Sequence, residues 1–364
     1  MPTAPLVSVV MPVYNVETYL IEAVESILNQ TFSDFEFIII EDPSTEEITK
    51  ILEKFAERDK RIRLIRNSRN LGLVRSLNKG LKQARGTYIA RQDADDISLP
   101  DRLAIQACFL EKHPEIGVVG TWVALLDKEG QQTDILRKPT SPFLIKWSLL
   151  FGNCLAHSSV MMRLSLVEEN EVYKTEMLFV EDYELWARLS EKTLLTNLSK
   201  VLCLIRLHDQ RISAQHFELQ KKSGRLVMRQ LIAKLLGKEV PEALLKPLQR
   251  PEVLETQEEL RYVVRLIKQL FEAYIAQNKL DAAKRAQIAE NAAIRLVHVA
   301  LKYVERWPIS ASWAMLLALS INWRILTRSR ALVIRKFIKR LSFSSKKYCT
   351  SRKVELARTK ILQV

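Results

Sequence analysis

The stretch LVSVVMPVYNVETYLIEAVESILNQ, Leu6 to Gln30, decides the fold. It opens with LVSVVMP, a short β-branched apolar run ended by Pro12, which reads as a strand buried on both faces. Its second half sets Tyr19, Leu20, Ala23, Val24, Ile27 and Leu28 at helical spacing. A buried strand followed at once by an amphipathic helix is the first half of a β-α-β unit.

The same pattern repeats downstream. FEFIII is a second buried strand, ending at Glu41-Asp42. In PSTEEITKILEKFAERD, Ser44 is placed to cap a helix, with Glu47 completing a capping box. RIRLIRN reads as a third strand, and GLVRSLNKGLKQARG as a helix that Gly86 is placed to end. TYIARQD is a fourth strand running into a carboxylate cluster, after which Pro100 opens the helix PDRLAIQACFLEKH. Repeated units of this kind predict a parallel sheet covered on both faces. Ligands of such sheets bind beyond the carboxyl ends of the strands. Pro12-Val13-Tyr14-Asn15, Glu41-Asp42 and Asp93-Ala94-Asp95 are therefore expected on one rim.

Residues 115–213 are less regular. IGVVGTWVALLD, SSVMMR and VLCLIRLH read as strands, and VEDYELWARLSEK as a helix with Tyr183, Leu185, Trp186 and Leu189 as its apolar positions. From about residue 214 the periodicity is almost purely helical, and the stretch from Pro241 to Pro251 separates the first two helices. Two domains are expected, 1–213 and 214–364. Charge divides along the same line. Residues 1–213 carry 26 Lys and Arg against 30 Asp and Glu, and residues 214–364 carry 30 against 12, so the net charge of +14 belongs to the C-terminal part.

Cys108, Cys154, Cys203 and Cys349 lie far apart and form no CxxC, which suits buried thiols in a reducing compartment better than a disulfide framework or a zinc site. The N-terminus has neither a basic n-region nor a small-residue cleavage site. WAMLLALSINW, Trp313 to Trp323, falls far short of the roughly 20 residues a membrane span needs. A cytoplasmic protein is the expectation.

Asp93, Asp95 and Asp96 crowd three carboxylates into four positions. A divalent hard cation explains such crowding, since Mg²⁺ and Mn²⁺ take one or two carboxylates plus substrate phosphates. The bland alternative is a helix start in which Asp96, Ser98 and Asp101 satisfy free N–H groups and the helix dipole. The other candidates carry similar pairs of readings. Asp42 can accept the N3–H of a uracil, or serve as a turn residue before Pro43. Tyr14 can stack on a base or belong to the core. Asn70, Arg75 and Asn78 are polar groups near the rim or a solvated helix face. Asp182, taken alone, reads as an acid favoured by its helix dipole. His208 follows an apolar strand between Arg206 and Arg211, which can meet phosphate.

SVVMPVYNVETYLIEAVESILNQTF, FIIIEDPSTEE, NLGLVRSLNKGLKQARGTYIARQDADD and VEDYELWARL occur in an order and spacing that resemble family 2 glycosyltransferases. The resemblance covers about residues 6–213. It implies an α/β fold of the GT-A type, a Rossmann-like mixed sheet that binds nucleotide-sugars, followed here by an all-α region. It implies that Asp42 reads the nucleobase, that Asp93 and Asp95 form the DxD pair with Asp95 the direct metal ligand, and that Asp182 is the catalytic base. Pro12, Tyr14, Asn15, Asn70, Arg75 and Asn78 then fall on the nucleotide-sugar side. His208 resembles a histidine that reaches the metal or pyrophosphate. His157 in AHSSVMMR and Glu181 fall on the acceptor side. The motif usually written Asp-Asp-Gly-Ser is Glu41-Asp42-Pro43-Ser44 here, so that loop must differ, because proline fixes φ and removes a donor.

The expected activity is inverting, Mn²⁺- or Mg²⁺-dependent transfer from a nucleotide-sugar, UDP by default, to a glycan, lipid-linked or small-molecule hydroxyl in surface polysaccharide or glycoconjugate biosynthesis. The alternatives are a nucleotide-sugar-binding protein without transferase activity and a basic membrane or nucleic-acid adaptor. The last rests on residues 321–364, with 13 Lys and Arg against one acid interleaved with apolar positions. Such a helix can lie on an anionic membrane, so 309–364 is expected at the inner face of the plasma membrane. Its rivals are packing on the catalytic domain with the bases solvated, and nucleic-acid binding, for which no motif is present.

Overall fold

Strand β1 (Val7–Val13) lies inside the sheet because nearly every residue of VSVVMPV is buried, on both faces. It pairs in parallel with β2 (Phe35–Glu41) on one side and β4 (Tyr88–Arg91) on the other, and β2 pairs in parallel with β3 (Ile62–Arg66). Helices α1 (Glu17–Leu28), α2 (Glu46–Arg58) and α3 (Leu73–Gln83) make the crossovers. The computed structural model describes residues 4–15, 17–167, 172–249 and 253–322.

Beyond β4 the sheet changes character. It continues through β8 (Met161–Arg163), β6 (Ile116–Leu126), β9 (Leu194–Arg206) and β5 (Ile97–Ser98), while β7 (Gln132–Leu136) pairs with β6, giving the order β3-β2-β1-β4-β8-β6-β9-β5. β8 is antiparallel to both β4 and β6, β5 is antiparallel to β9, and β6 is parallel to β9. Strand patterning by itself predicts a parallel sheet; the sheet is mixed, as the family resemblance implies. An apolar run reports burial and not direction: Met161 and Met162 are buried in an antiparallel slot as fully as β1 is in a parallel one. Helices α4 (Arg102–Lys112), α5 (Pro142–Leu149) and α6 (Glu181–Leu189) complete the covering, with short α7 (Ile212–Gln215) after β9.

Two local expectations are corrected. Thr45, and not Ser44, caps α2 by accepting from the Ile48 amide at 3.4 Å. Ser44 is used elsewhere: its hydroxyl donates to the Asp42 carbonyl at 2.9 Å and accepts from the Asn15 amide at 3.3 Å, tying the ends of β1 and β2 together. Gly86 does not end α3, which stops at Gln83 with Ala84 as its cap. Gly86 is instead a close approach, since a Cβ there would lie 2.6 Å from the Ser8 nitrogen and 2.8 Å from the Val7 carbonyl carbon. Its amide donates to Ser8 Oγ at 2.9 Å, and that hydroxyl donates to Glu36 at 2.7 Å. In addition, α4 begins at Arg102 with Asp101 as its cap, two residues after Pro100.

The chain divides into two compact units, Met1–Val227 and Met228–Val364, with α8 (Phe217–Leu236) crossing the division. The second unit contains α9 (Glu242–Gln249), α10 (Gln257–Gln277), α11 (Ala282–Tyr303) and α12 (Pro308–Ile321). Its interior is built from Leu260, Val263, Val264, Ile267 and Leu270 of α10, with Ile288, Ala292, Leu296 and Ala300 of α11. The capping box predicted for α2 occurs here instead, between Thr256 and Glu259 at the start of α10. The basic residues from 323 onward, on which the membrane expectation rested, lie outside the described residues. Among the described residues no helix is long and apolar enough to cross a membrane. Cys154 and Cys203 are buried thiols, while Cys108 is exposed on α4, contrary to expectation.

The Gly86 contact yields a stability test. Gly86→Ala forces a methyl against backbone atoms of β1 that cannot rotate away. The substitution is expected to destabilise the protein by about 1–3 kcal/mol, read as a lowered midpoint in thermal unfolding. An unchanged midpoint would refute the close approach.

Candidate active site

Parallel pairing aligns the carboxyl ends of β1, β2 and β4, so Tyr14, Asp42 and the loop after Arg91 meet at one rim. Tyr14 is 49% exposed, which removes the core reading and leaves its ring free to face a ligand. Asn15 follows in the left-handed region at φ 50, a conformation asparagine tolerates. Asp42 is buried and holds the loop before α3: Oδ1 accepts from Asn67 Nδ2 at 2.7 Å, the Leu71 amide at 3.1 Å and Ser76 Oγ at 3.2 Å. Its Oδ2 accepts from the Gly72 amide at 3.0 Å, which leaves that oxygen the less occupied of the two. Asn70 makes a local turn, accepting from the same Gly72 amide at 2.9 Å.

The acidic loop is the centre of the site. One carboxylate oxygen each from Asp93, Asp95 and Asp96 lies within 4.8 Å of the others. Their environments differ. Asp93 pairs with the buried guanidinium of Arg91 at 2.5 Å and accepts a short hydrogen bond from Ser158 Oγ. Burial alone would raise its pKa, but the charge of Arg91 and the bonds from Arg91 and Ser158 outweigh burial and hold it below the ordinary value. Asp95 is pushed up by burial and by the charge of Asp93, although His208 Nε2 lies 2.9 Å from its Oδ2. Asp96 is buried, accepts from the Arg206 amide at 3.1 Å, and is pushed up to about 8 by burial and its two neighbours. A cluster that repels its own last charge could hold a cation. Oxygen donors with one imidazole suit Mg²⁺ or Mn²⁺.

Glu181 and Asp182 open α6, within the electrostatic reach of Arg91. Asp182 accepts from Asn153 Nδ2 at 2.6 Å and from the Tyr183 amide at 2.6 Å; burial raises it to about 6 against those two bonds. Glu181 is buried, its Oε2 has no hydrogen-bond partner among the described residues, and burial with the charge of Asp182 raises it to about 7. It lines a cavity of ≈ 390 Å³ together with Gly72, Arg75, Thr175, Phe179 and Ile212. That cavity places Arg75 and Glu181 on one opening.

Other residues chosen from the sequence are engaged differently. His157 Nε2 lies 2.8 Å from the Tyr173 hydroxyl and its ring packs on Tyr173 and Trp186. Burial and then the charge of Arg91 drive its pKa well down, so it is a neutral imidazole behind the acids. Both ends of the Asn78 amide are taken by the backbone of Tyr173, at 2.7 and 3.0 Å, so Asn78 acts on the site through Tyr173. The Arg206 guanidinium is paired with Glu22 by a short contact and lies over the Tyr19 ring. Pro12 stands within β1 beside Ile40. Sequence reasoning missed Arg91, Ser158 and Asn153. Arg91 was findable, because a base two positions before Asp93 in an extended strand points to the same side; Ser158 lies in the 3₁₀ turn His157–Ser159, within a stretch read as strand, and Asn153 lies in a loop.

A family model described as "Glycosyl transferase family 2" matches residues 8–169. An uncharacterized glycosyltransferase of Haemophilus influenzae is 34% identical over 247 residues, 65% of this chain and 76% of that protein. The O-antigen biosynthesis glycosyltransferase WbnJ of Escherichia coli is 33% identical over 210 residues, 56% of this chain and 81% of WbnJ. Among solved structures, S. aureus TarS 1–349 in complex with UDP shares the fold at a TM-score of 0.50 and 18% identity, over 95% of this chain and 91% of that one. With such relatives matched over most of their own length, and with the acidic rim formed as described, the chain belongs to glycosyl transferase family 2.

Proposed function

We propose that this glycosyltransferase moves a sugar, with inversion, from a nucleoside-diphosphate sugar to an acceptor hydroxyl, using Asp182 as the base. The observation that carries the reading is electrostatic. Asp93, Asp95 and Asp96 make a cation-seeking cluster, and Asp182, raised by burial to about 6 against its bonds from Tyr183 and Asn153, is a carboxylate tuned to take a proton. Asp95, Asp93 and His208 would hold Mn²⁺ or Mg²⁺. When bound, the ion neutralises charge developing on the departing diphosphate.

The chain's own residues supply the rest. Tyr14 offers an exposed ring for the base, and the loop held by Asp42 presents the start of α3 to the donor. Arg75, across the cavity from Glu181, is a cation for the donor side. In the transfer step the acceptor oxygen bonds to the anomeric carbon as the carbon–phosphate oxygen bond breaks. The acceptor proton passes to Asp182, and the nucleoside diphosphate leaves with the electron pair. The Asn153 bond keeps that carboxylate oriented. UDP is the default nucleotide, because a carboxylate at Asp42 complements the uracil N3–H. Surface polysaccharide or glycoconjugate assembly is proposed from the O-antigen role in the name of WbnJ.

Asp182→Asn keeps shape and removes the base, so kcat is expected to fall by about 10²–10⁴-fold with donor affinity retained, measured as nucleotide release with a matched acceptor. Because Asp182 is raised to about 6 and acts as the carboxylate, kcat/KM is expected to rise with pH through that value and level above it. A flat profile between pH 5 and 8 refutes the assignment. A donor screen with and without Mn²⁺ tests the cation. Activity should need the ion, and Asp95→Ala should abolish that dependence together with turnover; unchanged turnover refutes the metal role of Asp95.

A further inference from the structure

His208 reaches the acidic loop from beyond the end of β9, through a contact between Nε2 and Asp95 Oδ2 at 2.9 Å. Its Nδ1 is buried and has no hydrogen-bond partner among the described residues. A ligating imidazole is ordinarily aimed by a hydrogen bond at its second nitrogen, and here that device is missing.

Helix α1 provides a substitute. The Tyr19 ring packs on the His208 ring with centroids 4.9 Å apart at 43°. The same tyrosine ring lies under Arg206, whose Cζ is 4.5 Å from its centroid. Arg206 and His208 are two residues apart, so one aromatic ring contacts both. Glu22 follows Tyr19 by three positions, on the same face of α1, and pairs with the buried Arg206 guanidinium. The Arg206 amide donates to Asp96 at 3.1 Å. A continuous set of contacts therefore runs from α1 through the end of β9 to two of the three acids. Neither the proposed transfer chemistry nor nucleotide recognition accounts for it.

We propose that Tyr19 is the positioning residue for His208: its ring, engaged by the Arg206 that Glu22 anchors, replaces the missing Nδ1 hydrogen bond and keeps Nε2 aimed at Asp95. The assignment rests on the reading of Asp95 and His208 as a metal site. The Tyr19 hydroxyl has no part in it, so the ring alone should suffice.

The test uses the full chain and two independent readouts. Mn²⁺ binding is measured by electron paramagnetic resonance of the free ion, with and without UDP. The orientation of His208 is read from its imidazole resonances in ¹⁵N-labelled protein without metal. Tyr19→Leu should weaken Mn²⁺ binding about 10-fold and shift the His208 resonances, while Tyr19→Phe should match the parent in both. Glu22→Gln should move both in the direction of Tyr19→Leu, and serves if that variant folds poorly. In a His208→Asn background, Tyr19→Leu should have no further effect on Mn²⁺. Unchanged His208 resonances in Tyr19→Leu overturn the proposal, as does a loss of Mn²⁺ binding that persists without His208. If the parent binds no Mn²⁺, the metal reading fails, and the resonances alone decide whether Tyr19 positions His208.

Discussion

A single buried guanidinium holds the catalytic rim in shape. Arg102, fully buried at the start of α4, directs its five N–H groups to five acceptors. Nε donates to Gln106 Oε1 at 3.0 Å, Nη1 to Gln92 Oε1 at 3.0 Å and Ser98 Oγ at 2.8 Å, and Nη2 to the carbonyls of Arg91 at 2.7 Å and Val160 at 3.1 Å. None is a carboxylate. Burial lowers its pKa to about 10, which leaves it charged at neutral pH. Gln92 then donates to the carbonyls of Asp93 and Asp96 at 3.0 and 2.7 Å, while Gln106 donates to those of Val119 and Ser159. The acidic loop is thus framed by a satisfied polar network before any ligand arrives, and such networks specify one geometry because every alternative leaves buried donors unmade.

Within that frame the acids are differentiated by what stands beside them. Asp93 pairs with Arg91 and stays ionised; Asp96, buried beside two other acids and bonded to the Arg206 amide and the Ser158 hydroxyl, holds a proton readily. Arg91 is also felt by Glu181 and Asp182. One buried cation therefore acts electrostatically on both the acidic loop and the acids of α6. Burial raises the two acids at α6, and Arg91 acts together with their own hydrogen bonds to limit that rise.

Much of this was legible in the sequence, for identifiable reasons. The first four strands and their helices were readable because burial on both faces leaves unbroken apolar runs, and their carboxyl ends brought Asp42 and the acidic loop together as expected. Strand direction beyond β4 was not readable, since Met161–Arg163 has the same signature in either direction. Gly86 was misread because a glycine after a helix pattern is usually a cap, whereas its actual constraint is the backbone of Ser8, 78 positions away. Asn78 was placed near the ligand by helix spacing, which cannot show that the Tyr173 backbone occupies both ends of its amide. Partners so distant in sequence leave no local trace.

The antiparallel slot that the sequence concealed is what completes the site. β8 runs against β4, so it brings its entry turn, His157 to Ser159, to the carboxyl end of β4, where Ser158 bonds Asp93. β6 runs against β8 and hence along β4, and β9 runs along β6. The end of β9 must therefore emerge at the same rim, carrying Arg206 to Asp96 and His208 to Asp95. In an all-parallel sheet a strand in the β8 position would begin at the opposite edge, and Ser158 would lie far from the acids. One reversed strand of three residues thus recruits the loop before β8 to a rim that the parallel half of the sheet had already begun.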